Sequence, residues 1–219
     1  CERTRAEEAL KEADRHKEDV KVSPRDLVDT YLPAFHAAVT EGRAESVMCA
    51  YNAVDGVPAC ANEQLLRHYL RDEWRFQGHV VSDCGAVADI HMDWAHHYVK
   101  TPEEAVAVAV RAGTDVICDF GANKTAQPVT TVAAVQQGLL SEAELDRALQ
   151  RLFDVRLRLG LLAPAGQRPF PEITARDFDT PANRALNLET ARRSLVLLKN
   201  DGLLPLKAPP RRIAVIGPN

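Results

Sequence analysis

The chain has 219 residues, enough for one domain with a sizeable core or for parts of two. Apolar residues make up 46% and charged residues 26%, an ordinary globular balance, and the formal charge of −4 with no long Lys/Arg run argues against nucleic acid or an anionic membrane as partner. No stretch approaches the roughly 18 apolar residues of a spanning helix, no secretory leader is visible, and the first residue is Cys rather than Met, so the natural start is expected upstream.

Residues 1–20 are dense in charge of alternating sign, which suits a solvated helix or an unstructured end. Ser23-Pro24-Arg25-Asp26 opens a helix: Ser23 can cap it, Pro24 fits the first turn, and Asp26 complements the positive helix end. Leu27, Leu32, Phe35 and Val39 could supply its apolar face, with a kink at Pro33 and a stop at Gly42. Ser46 to Tyr51 is a short, nearly continuous apolar run, the pattern of a strand buried on both faces. Asn52 to Asn62, with Gly56 and Pro58, reads as a loop, and residues 62–73 suit a helix.

Gly78 to Ser82 predicts a second buried strand, followed at once by Asp83-Cys84-Gly85-Ala86. Residues 84–100 are irregular. Thr101-Pro102-Glu103-Glu104 is a capping box with Pro at the first helical position, opening a helix that stops at Gly113. Thr114 to Cys118 predicts a third strand. Ser141-Glu142-Ala143-Glu144 is a second capping box; the long helix it opens carries Leu145, Leu149, Leu152, Phe153 and Leu159 and closes at Gly160.

Such helix–strand alternation implies an α/β fold of parallel strands with right-handed crossovers. A complete (β/α)8 barrel needs about 250 residues, so residues 1–163 are expected to form the C-terminal part of a TIM-type barrel, its last three βα units. Residues 164–210 read as a linker, proline-rich at first; within it Arg184 to Leu198 reads as helical and could become extended toward its end. Residues 211–219, through Ile213-Ala214-Val215-Ile216-Gly217, resemble the first strand of a further α/β domain.

Asp83 directly follows a buried strand. In barrels the C-terminal strand ends line the active site, so this carboxylate could be a nucleophile, a base, a metal ligand, or only a cap for the next turn. His91, His96 and His97 with Asp89 and Asp93 lack zinc-type spacing, so no metal is expected, and no cofactor motif is present.

Val80-Val81-Ser82-Asp83-Cys84-Gly85-Ala86 resembles the nucleophile signature of family 3 glycoside hydrolases. Ser46 to Asn52 followed by Gly56-Val57-Pro58-Ala59-Cys60 is similar to that family's preceding strand and loop. Ser23 to Leu27 with Thr30-Tyr31-Leu32-Pro33 resembles its β-xylosidase branch, and Leu197 to Leu206 resembles the passage from its barrel to a second domain. The resemblance covers roughly residues 21–219; residues 1–20 match no familiar pattern.

The resemblance implies a retaining exo-glycosidase: a carboxylate attacks the anomeric carbon, and a second carboxyl protonates the leaving oxygen and then activates water. It assigns Asp83 as the nucleophile of an enzyme cleaving terminal β-D-xylosyl residues, with a β-glucosidase as the alternative. The acid/base glutamate and the sugar-gripping Asp, Arg and Lys-His of the family lie outside these residues, so the isolated chain is expected to be inactive; a sugar-binding module without hydrolysis is a further reading. The substrate would be a small oligosaccharide or an aryl glycoside.

By the same resemblance Tyr51 sits beside the nucleophile, where it could hydrogen-bond the carboxylate, or is only a core aromatic. Met48 lines the sugar site or is only a core methionine. Cys84 and Cys118 are implied as a disulfide that narrows the sugar pocket and favours pentosides, and Cys49 and Cys60 as a second; the alternative is four buried thiols. Two bridges would indicate a periplasmic or extracellular protein, with Cys1 left over. The family branch has an acidic residue before and a glycine after the second cysteine where this chain has Ile117 and Asp119.

Overall fold

A computed structural model describes residues 14–119, 126–164, 166–169 and 174–214. They fall into two compact units, Cys1–Pro169 and Phe170–Asn219.

The first unit is built on two parallel strands, β2 (Ser46–Cys49) and β5 (His79–Ser82), in register Ser46↔His79 through Cys49↔Ser82. Both are short apolar runs, and Val80 is fully buried between the layers. A third parallel segment lies beside β5, reduced to one bridge between Val81 and Val116. The sequence predicts a full strand over Thr114 to Cys118. Two side chains interrupt it: the Asp115 carboxylate accepts the Val80 N–H (2.8 Å), and Ser82 Oγ accepts the Cys118 N–H (2.9 Å). Side chains thus occupy backbone groups that a regular ladder would pair.

The loop expected over Asn52 to Asn62 is more ordered than that. β3 (Ala53–Val54) and β4 (Val57–Pro58) form a tight hairpin around Asp55-Gly56. Both turn residues have positive φ (+51° and +88°), the Asp-Gly requirement of a primed two-residue turn. β1 (Asp19–Val20) pairs in parallel with β3. The reading of residues 1–20 as a solvated helix therefore fails at its end: Asp19-Val20-Lys21-Val22 alternates polar and apolar, the period of a strand. Residues 1–13, including Cys1, lie outside the described residues.

The helix opened by Ser23, whose Oγ accepts the Asp26 N–H, runs Pro24–Asp26 and widens into a π-type turn over Leu27–Tyr31. It resumes as Pro33–Thr40. Pro33 has no N–H to donate, and the Leu32 N–H reaches back five residues to the Leu27 carbonyl, so the expected kink is a bulge. Gln64–Glu73 is wide-turned throughout.

The Pro102–Ala112 helix has the expected capping box at Thr101 and Glu104. Ala105, Val106, Ala109 and Ala112 are buried on it, small enough to let it approach the hairpin loop and the Ala126–Gln136 helix closely. The Glu142–Arg158 helix is capped by Ser141 and Glu144 in the same way. Leu149, Phe153 and Leu159, expected on its apolar face, are largely exposed, while Ala148 and Val155 are buried.

Among its described residues the second unit has a short 3-10 turn, Ala175–Asp177, and an α-helix, Pro181–Ser194, capped by Thr180 and exposed along its length. Residues 195–214 form no strand, and residues 215–219, which carry most of the expected Ile213–Gly217 strand, lie outside the described residues.

Candidate active site

Asp83 occupies the first position after β5, at its C-terminal end. Its N–H donates to the Cys49 carbonyl at the end of β2 (2.9 Å). Two residues on, the Gly85 N–H donates to the Cys118 carbonyl (2.9 Å). The turn is thereby held from both neighbouring strands. Gly85 adopts φ +93° and starts the short helix Ala86–Asp89. A side chain at that φ would be strained, which explains glycine here. The half-buried Asp83 carboxylate accepts the Cys84 N–H through Oδ1 (2.7 Å), which fixes the carboxylate against the turn.

Four cysteines surround this turn. Cys84 and Cys118 are bonded to each other (Cα–Cα 4.4 Å), as are Cys49 and Cys60 (Cα–Cα 5.1 Å). The first bridge joins the residue after Asp83 to the third segment. The second joins the end of β2 to the hairpin loop.

Tyr51 is buried beside the turn. Its hydroxyl donates to the Cys84 carbonyl (2.7 Å), and the Asp83 carboxylate that the sequence suggests as its partner also acts on it. Burial, and next the negative charge of Asp83, push the Tyr51 hydroxyl above its ordinary pKa, so it stays protonated as a donor. Met48 is placed differently. It is 57% exposed and lines an apolar groove of about 360 Å³ with Tyr31, Leu32, Phe35 and Trp74.

Four residues to which the sequence gave no such role, Arg15, His16, Asp89 and His96, complete the surroundings. The Arg15 guanidinium lies 4.6 Å over the Tyr51 ring. The His16 ring is 4.0 Å from the Tyr51 ring, centroid to centroid, and its Nδ1 is 2.6 Å from Asp89 Oδ2. His96 Nε2 donates to the Tyr51 carbonyl (2.7 Å). Asp89 is 3% exposed; burial raises its pKa, and His16 works against that rise. Their sequence signal was weak, because charges spaced over residues 14–18 look solvated when read locally. Among the described residues no group of three or more His, Cys, Asp or Glu side chains is arranged to hold a metal.

Below the site, Asp115 anchors the third segment. Its carboxylate takes Arg71 Nη2 (2.6 Å), Arg151 Nη1 (2.8 Å) and the Val80 N–H.

Residues 9–155 match the family model for the glycosyl hydrolase family 3 N-terminal domain, two-thirds of the chain. The chain belongs to glycoside hydrolase family 3. The match begins at residue 9, so Arg15 and His16 fall inside the family domain, in the stretch where the sequence alone showed no familiar pattern.

Among curated family 3 relatives, a probable exo-1,4-β-xylosidase of Aspergillus clavatus is 45% identical over 207 residues, covering 93% of this chain and 26% of that protein. A probable β-D-xylosidase of Arabidopsis thaliana is 44% identical, covering 94% and 26%. The chain thus spans about a quarter of the length of these relatives. Among solved structures, a family 3 exo-β-xylosidase in complex with a xylobiose aziridine activity-based probe superposes with a TM-score of 0.77 at 34% identity, covering 88% of this chain and 24% of that one. A β-glucosidase of Listeria innocua in complex with glucose gives 0.73 at 35%, covering 86% and 25%. These neighbours share the α/β fold. Among the described residues no helix is long and apolar enough to cross a membrane.

Proposed function

We propose that this chain is a piece of a retaining, exo-acting β-xylosidase in which Asp83 forms the covalent glycosyl-enzyme. The observation that carries the reading is the Asp83 turn: a carboxylate at the C-terminal end of a buried parallel strand, tied to both neighbours and oriented by a backbone N–H. β2, β5 and the Val116 segment are then consecutive staves of a (β/α)8 barrel, with residues 1–163 belonging to it, 164–210 to a linker and 211–219 to the start of a second domain.

In the first step an Asp83 oxygen attacks the anomeric carbon as the glycosidic C–O bond breaks and a carboxylic acid gives its proton to the leaving oxygen. In the second, water attacks the same carbon, its proton returns to that group, and Asp83 leaves as carboxylate. The acid must stand about 5–5.5 Å from the nucleophile. Asp89 also acts electrostatically on Tyr51, but it is buried and engaged by His16, so it is not placed to protonate a leaving group. By the resemblance to the family the acid comes from outside these residues, and the 219-residue chain by itself is expected to turn over no glycoside.

The Cys84–Cys118 bridge puts two sulfurs beside the nucleophile. It favours a pentose over a sugar bearing a hydroxymethyl group. The likeness to β-glucosidases supports the second reading, a β-glucosidase. Two disulfides fit a periplasmic or extracellular setting.

The test is to read the DNA flanking these codons, express the full reading frame, and assay aryl β-xylosides against aryl β-glucosides. The xyloside is expected to be preferred, and Asp83→Asn to lower turnover at least about a thousandfold. A xylobiose aziridine should label Asp83, located by peptide mass. Hydrolysis that survives Asp83→Asn would refute the assignment.

A further inference from the structure

We infer that Asp89 and His16 are a positioning pair that holds Tyr51, and through it the Asp83–Cys84 turn, in the geometry for glycosyl transfer; this rests on the glycosidase reading above. Asp89 is a buried carboxylate for which the proposed chemistry has no use, and a buried carboxylate is costly unless it is well partnered. What it does touch converges on one residue. Its carboxylate meets Nδ1 of His16, whose ring packs on the Tyr51 ring. Its backbone carbonyl accepts the His96 N–H (3.1 Å), and the His96 ring donates to the Tyr51 carbonyl.

Tyr51 is thus gripped at its ring and at its backbone by two histidines that both depend on Asp89. Its hydroxyl then passes the constraint to the Cys84 carbonyl, and the Cys84 N–H to Asp83 Oδ1. Asp89 itself ends the short helix that begins at Gly85, its N–H donating to the Gly85 carbonyl (3.2 Å). The closed circuit runs from the nucleophile turn through the helix, the pair and Tyr51, and back to the turn. A tyrosine serving only as core filling would need neither histidine.

The test uses the full-length gene product and the xylobiose aziridine as probe. Labelling of wild type, and none of Asp83→Asn, establishes the underlying reading independently. His16→Ala, His16→Gln and Asp89→Asn are then compared for the labelling rate at saturating probe, the probe concentration at half-saturation, and Tm. Small misplacement of a reacting group costs on the order of tenfold to a hundredfold in rate. The expected result is a loss of that size in saturating rate for His16→Ala and Asp89→Asn, with half-saturation within about twofold. His16→Gln, which keeps a donor for Asp89 without the ring, is expected to recover part of the rate. Saturating rates within twofold of wild type overturn the inference, and so does a loss that merely tracks the fall in Tm across the three variants. If wild type takes no label, the glycosidase reading has failed, and the pair is judged from the ¹⁹F signal of 3-fluorotyrosine at Tyr51, assigned with Tyr51→Phe. Movement of that signal in Asp89→Asn supports the grip on Tyr51; an unchanged signal overturns it.

Discussion

Asp115→Ala is expected to be among the most destabilising single changes in the first unit. The Asp115 side chain is 1% exposed and is the common acceptor for Arg71, Arg151 and the Val80 N–H. Arg151 is partly exposed and can turn to water, so little of the loss comes from it. Arg71 cannot: its side chain is 11% exposed, and its Nε already lacks a partner. Burial pushes the Arg71 pKa down while Asp115 pulls it up, so without Asp115 a buried cation stands uncompensated beside an unpaired N–H on a fully buried strand residue. Removing one partner of a buried pair costs about 3–5 kcal/mol, a large share of the roughly 5–15 kcal/mol that holds a domain. At about 2–4 °C per kcal/mol for a unit of this size, Tm should fall by about 6–20 °C. Asp115→Asn keeps an acceptor for the Val80 N–H and should cost less. Asp115→Leu combined with Arg71→Met should cost less than Asp115→Ala, because no charge is left buried. The assay is urea unfolding followed by circular dichroism, with m-values compared to exclude a change in the unfolded state. A loss below about 1 kcal/mol for Asp115→Ala would refute the reasoning, since the site would then behave as an exposed ion pair.

Gly78→Ala should destabilise by about 1–3 kcal/mol: a Cβ there collides with the Glu45 carbonyl and the Phe76 ring just where β5 begins beside β2. Differential scanning calorimetry reads it as a lowered Tm. Glu144 is held at a pKa of about 2, first by hydrogen bonds from Ser141 and then by Arg111. Because its folded pKa lies below its ordinary 4.5, its contribution is complete above about pH 4.5 and is lost as pH falls toward 2. Glu144→Gln should therefore narrow the stability difference from wild type between pH 5 and pH 2, with roughly 1 kcal/mol at stake for such a cap; a difference independent of pH would refute it.

Much of the site was readable before any coordinates. Two short apolar runs read as parallel strands, and Asp83 at the end of the second is placed by that; the first was expected buried on both faces, but Ser46 and Met48 leave one face of it exposed. The capping boxes at Thr101 and Ser141 fixed two helix starts, because the reciprocal Ser/Thr and Glu bonds are local. The Asp55-Gly56 turn and the alternation from Asp19 to Val22 are equally local signals, masked by a Gly/Pro-containing loop composition and by the charge density around residue 19.

What only the tertiary structure decided is everything that joins distant residues through one side chain. His16 and Asp89 are 73 positions apart, and nothing in a charged stretch marks the one histidine that will be desolvated. Asp115 and Ser82 cut the third strand to a single bridge by hydrogen-bonding backbone groups across the sheet, which no period along the chain records. Tyr51 donates to the Cys84 carbonyl while still interacting with the Asp83 carboxylate expected for it, a sharing that depends on where the turn lies against the ring. Local sequence determines which segments can pair or coil through dihedral preference and apolar period. Which buried polar group meets which partner depends on the three-dimensional path of the chain, where an unmet donor or charge is too costly to leave.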